Sequence, residues 1–213
     1  MDQTTILATV EAERLKLCDF LDTLDTTDWA TPSLCAGWTV RDVVAHLTTP
    51  TRTTMLEVIT GAVRALGSFH RMADRQAHTR AAAFPPADLI AQLRDTAGST
   101  RRMPGSAPMD PLVDVLVHGQ DIARPLGRSL PIPVDLAVAA LDHVKANGFS
   151  GAPKRIANLR LVASDADWAY GTAGDEVHGP AADLLLAVLG RPVALQHLSG
   201  TGVDVLSARL NHA

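Results

Sequence analysis

Asp114, His118 and Asp121 lie in DPLVDVLVHGQDIARPLG, residues 110–127, at spacings of four and three. Side chains at those spacings share one face of a helix, here beside Leu112, Val115 and Leu116, which have the pattern of a core. A polar seam open to water would account for this face, and so would a seat for a positive charge. Earlier in the chain His46 sits in VRDVVAHLTT, four residues beyond Asp42 and among Val43, Val44 and Leu47. Two imidazoles and one carboxylate, from His46, His118 and Asp114, make a three-ligand set with an open position, as catalytic zinc and similar divalent ions use. Helical bundles assemble such sites from inward side chains of facing helices. Each ligating imidazole needs an acceptor for its other nitrogen. Spacing offers Asp42 to His46 and Asp121 to His118, while Asp121 also qualifies as a fourth ligand. The plainer alternative is a pair of core histidines satisfied by nearby carboxylates, and spacing leaves both readings open.

The elements that must carry these residues follow from periodicity and punctuation. Residues 3–24 place Ile6, Val10, Leu17, Leu21 and Leu24 at helical spacing. After the loop TPSLCAGW, Thr39 is an N-cap with Asp42 as its capping-box partner. That second helix is expected to run from Val40 to about Leu66, with a bend near Pro50. A third spans about 86–102, with Pro86 early where proline is tolerated. The fourth starts with Asp110 as cap and Pro111 as first helical residue, and Pro125 and Gly127 stop it. Four helices with intervening loops make an antiparallel bundle over residues 1–127.

Beyond LPIPVD the pattern changes. Residues 134–147 read as a connecting helix within a 128–149 linker. NLRLVAS and DWAYGT read as strands, PAADLLLAVLG as a short apolar helix stopped by Gly190, VALQHLSG as a further strand and VDVLSARL as a last helix. Residues 150–213 thus form a small α/β domain, and the whole chain is α+β.

Composition limits what this protein does. Its 213 residues are 46% hydrophobic, enough for a real core, and no run approaches the roughly 18 apolar residues of a membrane helix. The N-terminal MDQTTILATVEAERL lacks a basic start followed by an apolar run, so a cytoplasmic protein is expected. The net charge of −4, with both signs interspersed, gives no footprint for nucleic acid. Two cysteines, Cys18 and Cys35, form no disulfide framework. Cys35, just before the second helix and within reach of the cleft, reads as a small buried hydrophobe in a loop rather than a ligand. Trp29, Trp38 and Trp168 read as packing anchors, and SFHRMADRQAHTR, with His70 and His78, as a solvated linker near a possible lid at 75–86.

Three segments taken together, TPSLCAGWTVRDVVAHL, DVLVHGQDIARPLG and DADWAYGTAGDEVHGPAADLLLAVLGR, resemble the mycothiol-dependent maleylpyruvate isomerase family. Its first domain belongs to the DinB-like superfamily of metal-binding four-helix bundles, and the likeness runs in order over nearly the whole chain. The resemblance implies a metal, typically zinc, held by His46, Asp114 and His118. This chain departs from the family at Asp114, where glutamate is common. Aspartate is one methylene shorter and reaches about 1.2–1.5 Å less far, so closer backbones, a bridging water or a weaker site must follow. The family's thiol, mycothiol, is the low-molecular-weight thiol of actinobacteria, and a metal converts a bound thiol to thiolate at neutral pH.

The implied function is a metal-dependent isomerase or S-transferase that uses mycothiol on a small, electrophilic, possibly anionic substrate, as a monomer or homodimer. A non-catalytic binding module of the same fold and a metal-dependent hydrolase are the alternatives. Arg41, at the start of the second helix, and Arg191, after the apolar helix, are the cations considered for an anionic substrate; Arg124 is poorly placed to share the face of His118. No catalytic or thiol-binding side chain is identifiable from the sequence.

Overall fold

A computed structural model describes residues 1–52, 69–103 and 105–211. It divides into two compact units, Met1–Leu130 and Pro131–Ala213. The first is helical. The second combines helices with a small three-stranded sheet.

In the first unit α1 spans Gln3–Leu21. Asp2 caps it by accepting the Thr5 N–H at 2.8 Å, which satisfies one of the amides a helix start leaves unpaired. Its inward face is Ile6, Val10, Leu17, Cys18 and Leu21, but also Arg14, whose guanidinium is buried and donates to the Ala97 carbonyl at 3.1 Å. Helix α2 spans Val40–Arg52 and carries Pro50 inside it; its expected continuation toward residue 66 lies outside the described residues. Its start is a reciprocal capping box. The Thr39 N–H donates to Asp42 Oδ2 at 2.9 Å and the Asp42 N–H to Thr39 Oγ1 at 3.3 Å. Val43, Val44 and Leu47 then enter the core, each contributing roughly 1.5–3 kcal/mol relative to exposure.

The segment read as a solvated linker is instead helical, α3, Phe69–Ala83. Its alanines and arginines favour helix, and its inner face, with Met72, Ala77 and Ala81 buried, packs on α2. The long polar side chains between these small apolar positions hid that face. Helix α4, Pro86–Asp95, buries Leu89, Ile90 and Leu93 and stops short of the expected end. Helix α5, Asp110–Ala123, begins one residue earlier than expected, with Met109 as cap and Asp110 as its first residue.

In the second unit α6, Val134–Val144, packs on α8, Ala181–Val188, so the helix read as a connector belongs to this unit's own core. One turn of helix, α7, Ala152–Arg155, precedes the sheet. Its strands are β1, Leu159–Ala163, β2, Ala169–Tyr170, and β3, Asp175–Gly179, in the order β2-β1-β3. β1 pairs antiparallel with β2 and parallel with β3. The sequence pattern gives no strand at β3, although Val177 and Gly179 alternate inward. Gly190, at φ +93°, closes α8 as only glycine does readily. VALQHLSG is not a strand: Pro192–His197 form a 3-10 turn, since proline supplies no amide for a ladder, and only Ser199 bridges to His178. Helix α9, Val203–Asn211, ends the unit.

Candidate metal centre

The α2 and α5 helices pack against each other, and that packing brings His46, Asp114 and His118 together. Asp114 Oδ1 lies 3.4 Å from His118 Nε2 and 3.8 Å from His46 Nε2. The two imidazole centroids are 5.0 Å apart, edge to face. The side chains keep 17%, 33% and 13% of their surface exposed for His46, Asp114 and His118, so the group is sheltered yet reachable. All three donor atoms lie within 4.8 Å of one another.

These distances bear on the two sequence readings. A nitrogen donor hydrogen-bonded to a carboxylate sits at about 2.7–3.2 Å, closer than either contact here. Ligands on a tetrahedral zinc at about 2.0–2.1 Å are separated by tetrahedron edges of about 3.3–3.4 Å, close to the shorter contact and within a small adjustment of the longer. The donor set fits a divalent cation better than it fits mutual hydrogen bonding. The short Asp114 side chain still places its oxygen between the two imidazoles.

Behind this group, the opposite edge of the His118 ring is held. Asp121, fully buried, accepts from His118 Nδ1 at 2.8 Å. The same carboxylate oxygen accepts the Cys35 S–H at 3.2 Å. Donation from Nδ1 presents Nε2 toward Asp114 and His46, the carboxylate–histidine arrangement that orients metal ligands. Burial alone would lower the His118 pKa, but Asp114, Asp121 and Cys35 around the ring raise it well above the usual imidazole value. Burial alone would raise the Asp114 carboxyl, and the facing imidazoles of His118 and His46 outweigh it and hold Asp114 well below the usual carboxylate range.

Asp42 lies elsewhere. Its Oδ2 caps α2 through Thr39 and its Oδ1 stands 3.0 Å from His78 Nδ1, so the structure brings it to His78 rather than to His46. Arg41 donates to the Phe84 carbonyl at 2.8 Å, and Arg191, in the second unit, to the Leu189 carbonyl at 2.7 Å.

Sequence reasoning did not bring Trp38, Asp74 or His78 to the site. Trp38 is not a simple anchor: its ring lies 5.2 Å from His46 and stacks on His118 at 6.5 Å. Its indole N–H donates to Asp74 Oδ1 at 2.8 Å, and Asp74 also faces His78 Nε2 at 3.5 Å. The i, i+4 pair Asp74 and His78 was legible as one helix face, but only once residues 69–83 were recognised as helical. Cys35, read as a packing residue, is held by a polar contact because the Leu34 N–H bonds the Asp121 carbonyl at 3.1 Å and draws the loop onto α5.

Comparison with known proteins adds a family and a fold. Residues 10–113 match the family model of the mycothiol maleylpyruvate isomerase N-terminal domain. No curated protein sequence matches the chain. Among solved structures, the crystal structure of a mycothiol-dependent maleylpyruvate isomerase is similar with a TM-score of 0.64 at 14% identity, covering 94% of this chain and 93% of that one. A histidine-to-alanine mutant of that enzyme matches with the same TM-score and coverage at 13% identity. At such identities the likeness is one of fold. No described helix is long and apolar enough to cross a membrane.

Proposed function

We propose, from the match of residues 10–113 to the family model of the mycothiol maleylpyruvate isomerase N-terminal domain, a metal-dependent, mycothiol-using isomerase or S-transferase acting on a small electrophilic substrate. The observation that carries the proposal is the convergence of His46 Nε2, His118 Nε2 and Asp114 Oδ1 at spacings longer than hydrogen bonds and close to the edges of a metal tetrahedron. A divalent ion there, zinc by the family resemblance, would supply an open position that turns a thiol into a thiolate nucleophile.

The chain's own residues would do the rest. His46, Asp114 and His118 would hold the ion. Asp121 would keep Nε2 of His118 as the ligating nitrogen. Trp38 would wall the site with an aromatic face and exclude water, which favours thiol attack over hydrolysis. The nucleophile would come from outside the chain, because Cys35 lies on the Nδ1 side of His118, away from the three donor atoms. A binding module without metal is less well supported, since its polar groups should satisfy one another at hydrogen-bond distance.

The test is metal analysis of protein purified without chelator, followed by turnover of maleylpyruvate with and without mycothiol. Stoichiometric zinc and thiol-dependent isomerisation are expected. Absence of metal from the intact protein would reject the reading, and turnover that needs metal but not thiol would replace it with a hydrolase.

A further inference from the structure

We infer that Cys35 is a positioning residue for the metal centre: its thiol braces the buried Asp121 carboxylate, which sets the His118 ring whose Nε2 faces His46 and Asp114. The inference rests on the metal reading above and extends it to a loop residue that is not a ligand.

The geometry is a relay of three side chains. Asp121 Oδ2 accepts from His118 Nδ1 at 2.8 Å and from the Cys35 S–H at 3.2 Å. The sulfur also lies 3.7 Å from Nδ1, against the ring edge opposite Nε2. It therefore stands on the Nδ1 side of the imidazole, where Cys35, His118 and Asp121 draw their polar atoms within 4.8 Å of one another, and supports the ring from there. Asp121 is completely buried, and a buried carboxylate is costly wherever a donor is taken from it. The backbone repeats the attachment, with the Leu34 N–H on the Asp121 carbonyl at 3.1 Å. Loop 33–38 is thus pinned to α5 through both main chain and side chain. Ser33 N–H to the Trp38 carbonyl at 2.8 Å and the positive φ of Gly37 fold the same loop back, so that Trp38 reaches the rings of His46 and His118. Cys35 therefore sits where one donor serves both the metal-ligand ring and the loop that covers it.

A small lapse here has a measurable effect because metal–ligand distances tolerate only about 0.2 Å. Residues that orient a ligating histidine typically change metal affinity by about 10–100-fold. Cys35 acts one step further out, which places its effect at the low end.

The test uses the full chain as Cys35→Ala, Cys35→Val and Cys35→Ser, with zinc affinity from chelator competition and the visible absorption of the cobalt(II) form as readouts. Alanine and valine, which lack a donor, are expected to weaken zinc binding by about tenfold and to shift the cobalt bands, while circular dichroism shows the fold retained. Serine restores a donor and is expected to recover most of the affinity and the wild-type band positions. Zinc affinity and cobalt spectrum unchanged in alanine and valine would overturn the inference. So would serine falling as far as alanine, which would assign the role to sulfur volume. Valine tests the donor at near-constant volume; if it fails to fold, the alanine and serine pair decides alone. A wild-type protein that takes up neither ion overturns the metal reading and this inference with it, whereas wild-type binding with indifferent variants overturns this inference alone.

Discussion

Two groups of histidine and carboxylate stand in the two units of this molecule, and they differ in what their distances leave over. In the second unit His178 Nε2 meets Glu176 Oε2 at 2.8 Å, and Arg160 closes on the other oxygen of that carboxylate at 3.1 Å. The carboxylate there meets both neighbours at hydrogen-bond length, and all three side chains are well exposed. In the first unit the contacts to Asp114 stretch to 3.4 and 3.8 Å in a sheltered setting. The group around Glu176 is a surface network closed at hydrogen-bond length. The group around Asp114 brings its donor atoms within 4.8 Å of one another at contacts longer than hydrogen bonds, the spacing on which the proposed metal site rests.

The sharpest way to break this contrast is to remove a member of each group. His118→Ala or His46→Ala should lower zinc affinity by more than about 100-fold, since loss of a ligand exceeds the loss from disturbing its support. His178→Ala should leave metal stoichiometry unchanged. Chelator competition on the three variants measures both arms. Equal effects of His118→Ala and His178→Ala would show that convergence at 3.4–3.8 Å carries no special meaning here.

The same contrast explains what could be read in the sequence. His46, Asp114 and His118 were legible because helix periodicity fixes faces, and because Thr39 with Asp42 and the Asp110–Pro111 start mark where α2 and α5 begin. The link between Asp121 and His118 followed from their i, i+3 spacing in the same way. What periodicity could not supply was anything dependent on non-local packing. Asp42 was matched to His46 at i, i+4, yet a capping role and His78, 36 residues away in the chain, take its oxygens. The Cys35 thiol and the Trp38 ring reach the site from a loop whose path is set by one amide bonded to Asp121. In the second unit the parallel partner of β1 was missed for the same reason, because β3 gains its meaning only from Val177 facing a sheet. Helix α3 was hidden by polar side chains that pair at its surface.

A middle case sharpens the comparison. Asp42 and His78 form a closed pair like that of Glu176 and His178, but Asp42 is nearly buried and also caps α2. Burial alone would raise its carboxyl pKa, whereas the Thr39 hydroxyl and amide and the nearby His78 outweigh it and lower the pKa. A carboxyl lowered on folding contributes stability above its unfolded pKa, and that contribution is lost as pH falls below about 4. Asp42→Ala should therefore destabilise the protein by about 1–2 kcal/mol at neutral pH, the scale of a lost cap. The difference from wild type should shrink as both are acidified. Denaturant titrations at neutral pH and below pH 4 check this, and a difference that stays constant would separate the effect from ionisation of Asp42.

The smallest effect belongs to the exposed pair itself. The hydrogen bond from His178 lowers the Glu176 carboxyl pKa, desolvation opposes it, and the Arg160 charge adds a smaller lowering effect. The sign is again that of stability present above the unfolded carboxyl pKa and lost in acid. Water surrounds the pair, so the attraction is screened and offset by ordering of the side chains. His178→Gln should leave the melting temperature at neutral pH indistinguishable from wild type, and raised salt should remove whatever small acid-range difference remains. A clear loss of stability that persists in high salt would mean that the edge bridge between His178 and Ser199 depends on the imidazole and not only on the main chain. The backbone geometry argues against that, because both bridge hydrogen bonds, at 2.7 and 2.8 Å, are made by peptide groups that the substitution leaves in place.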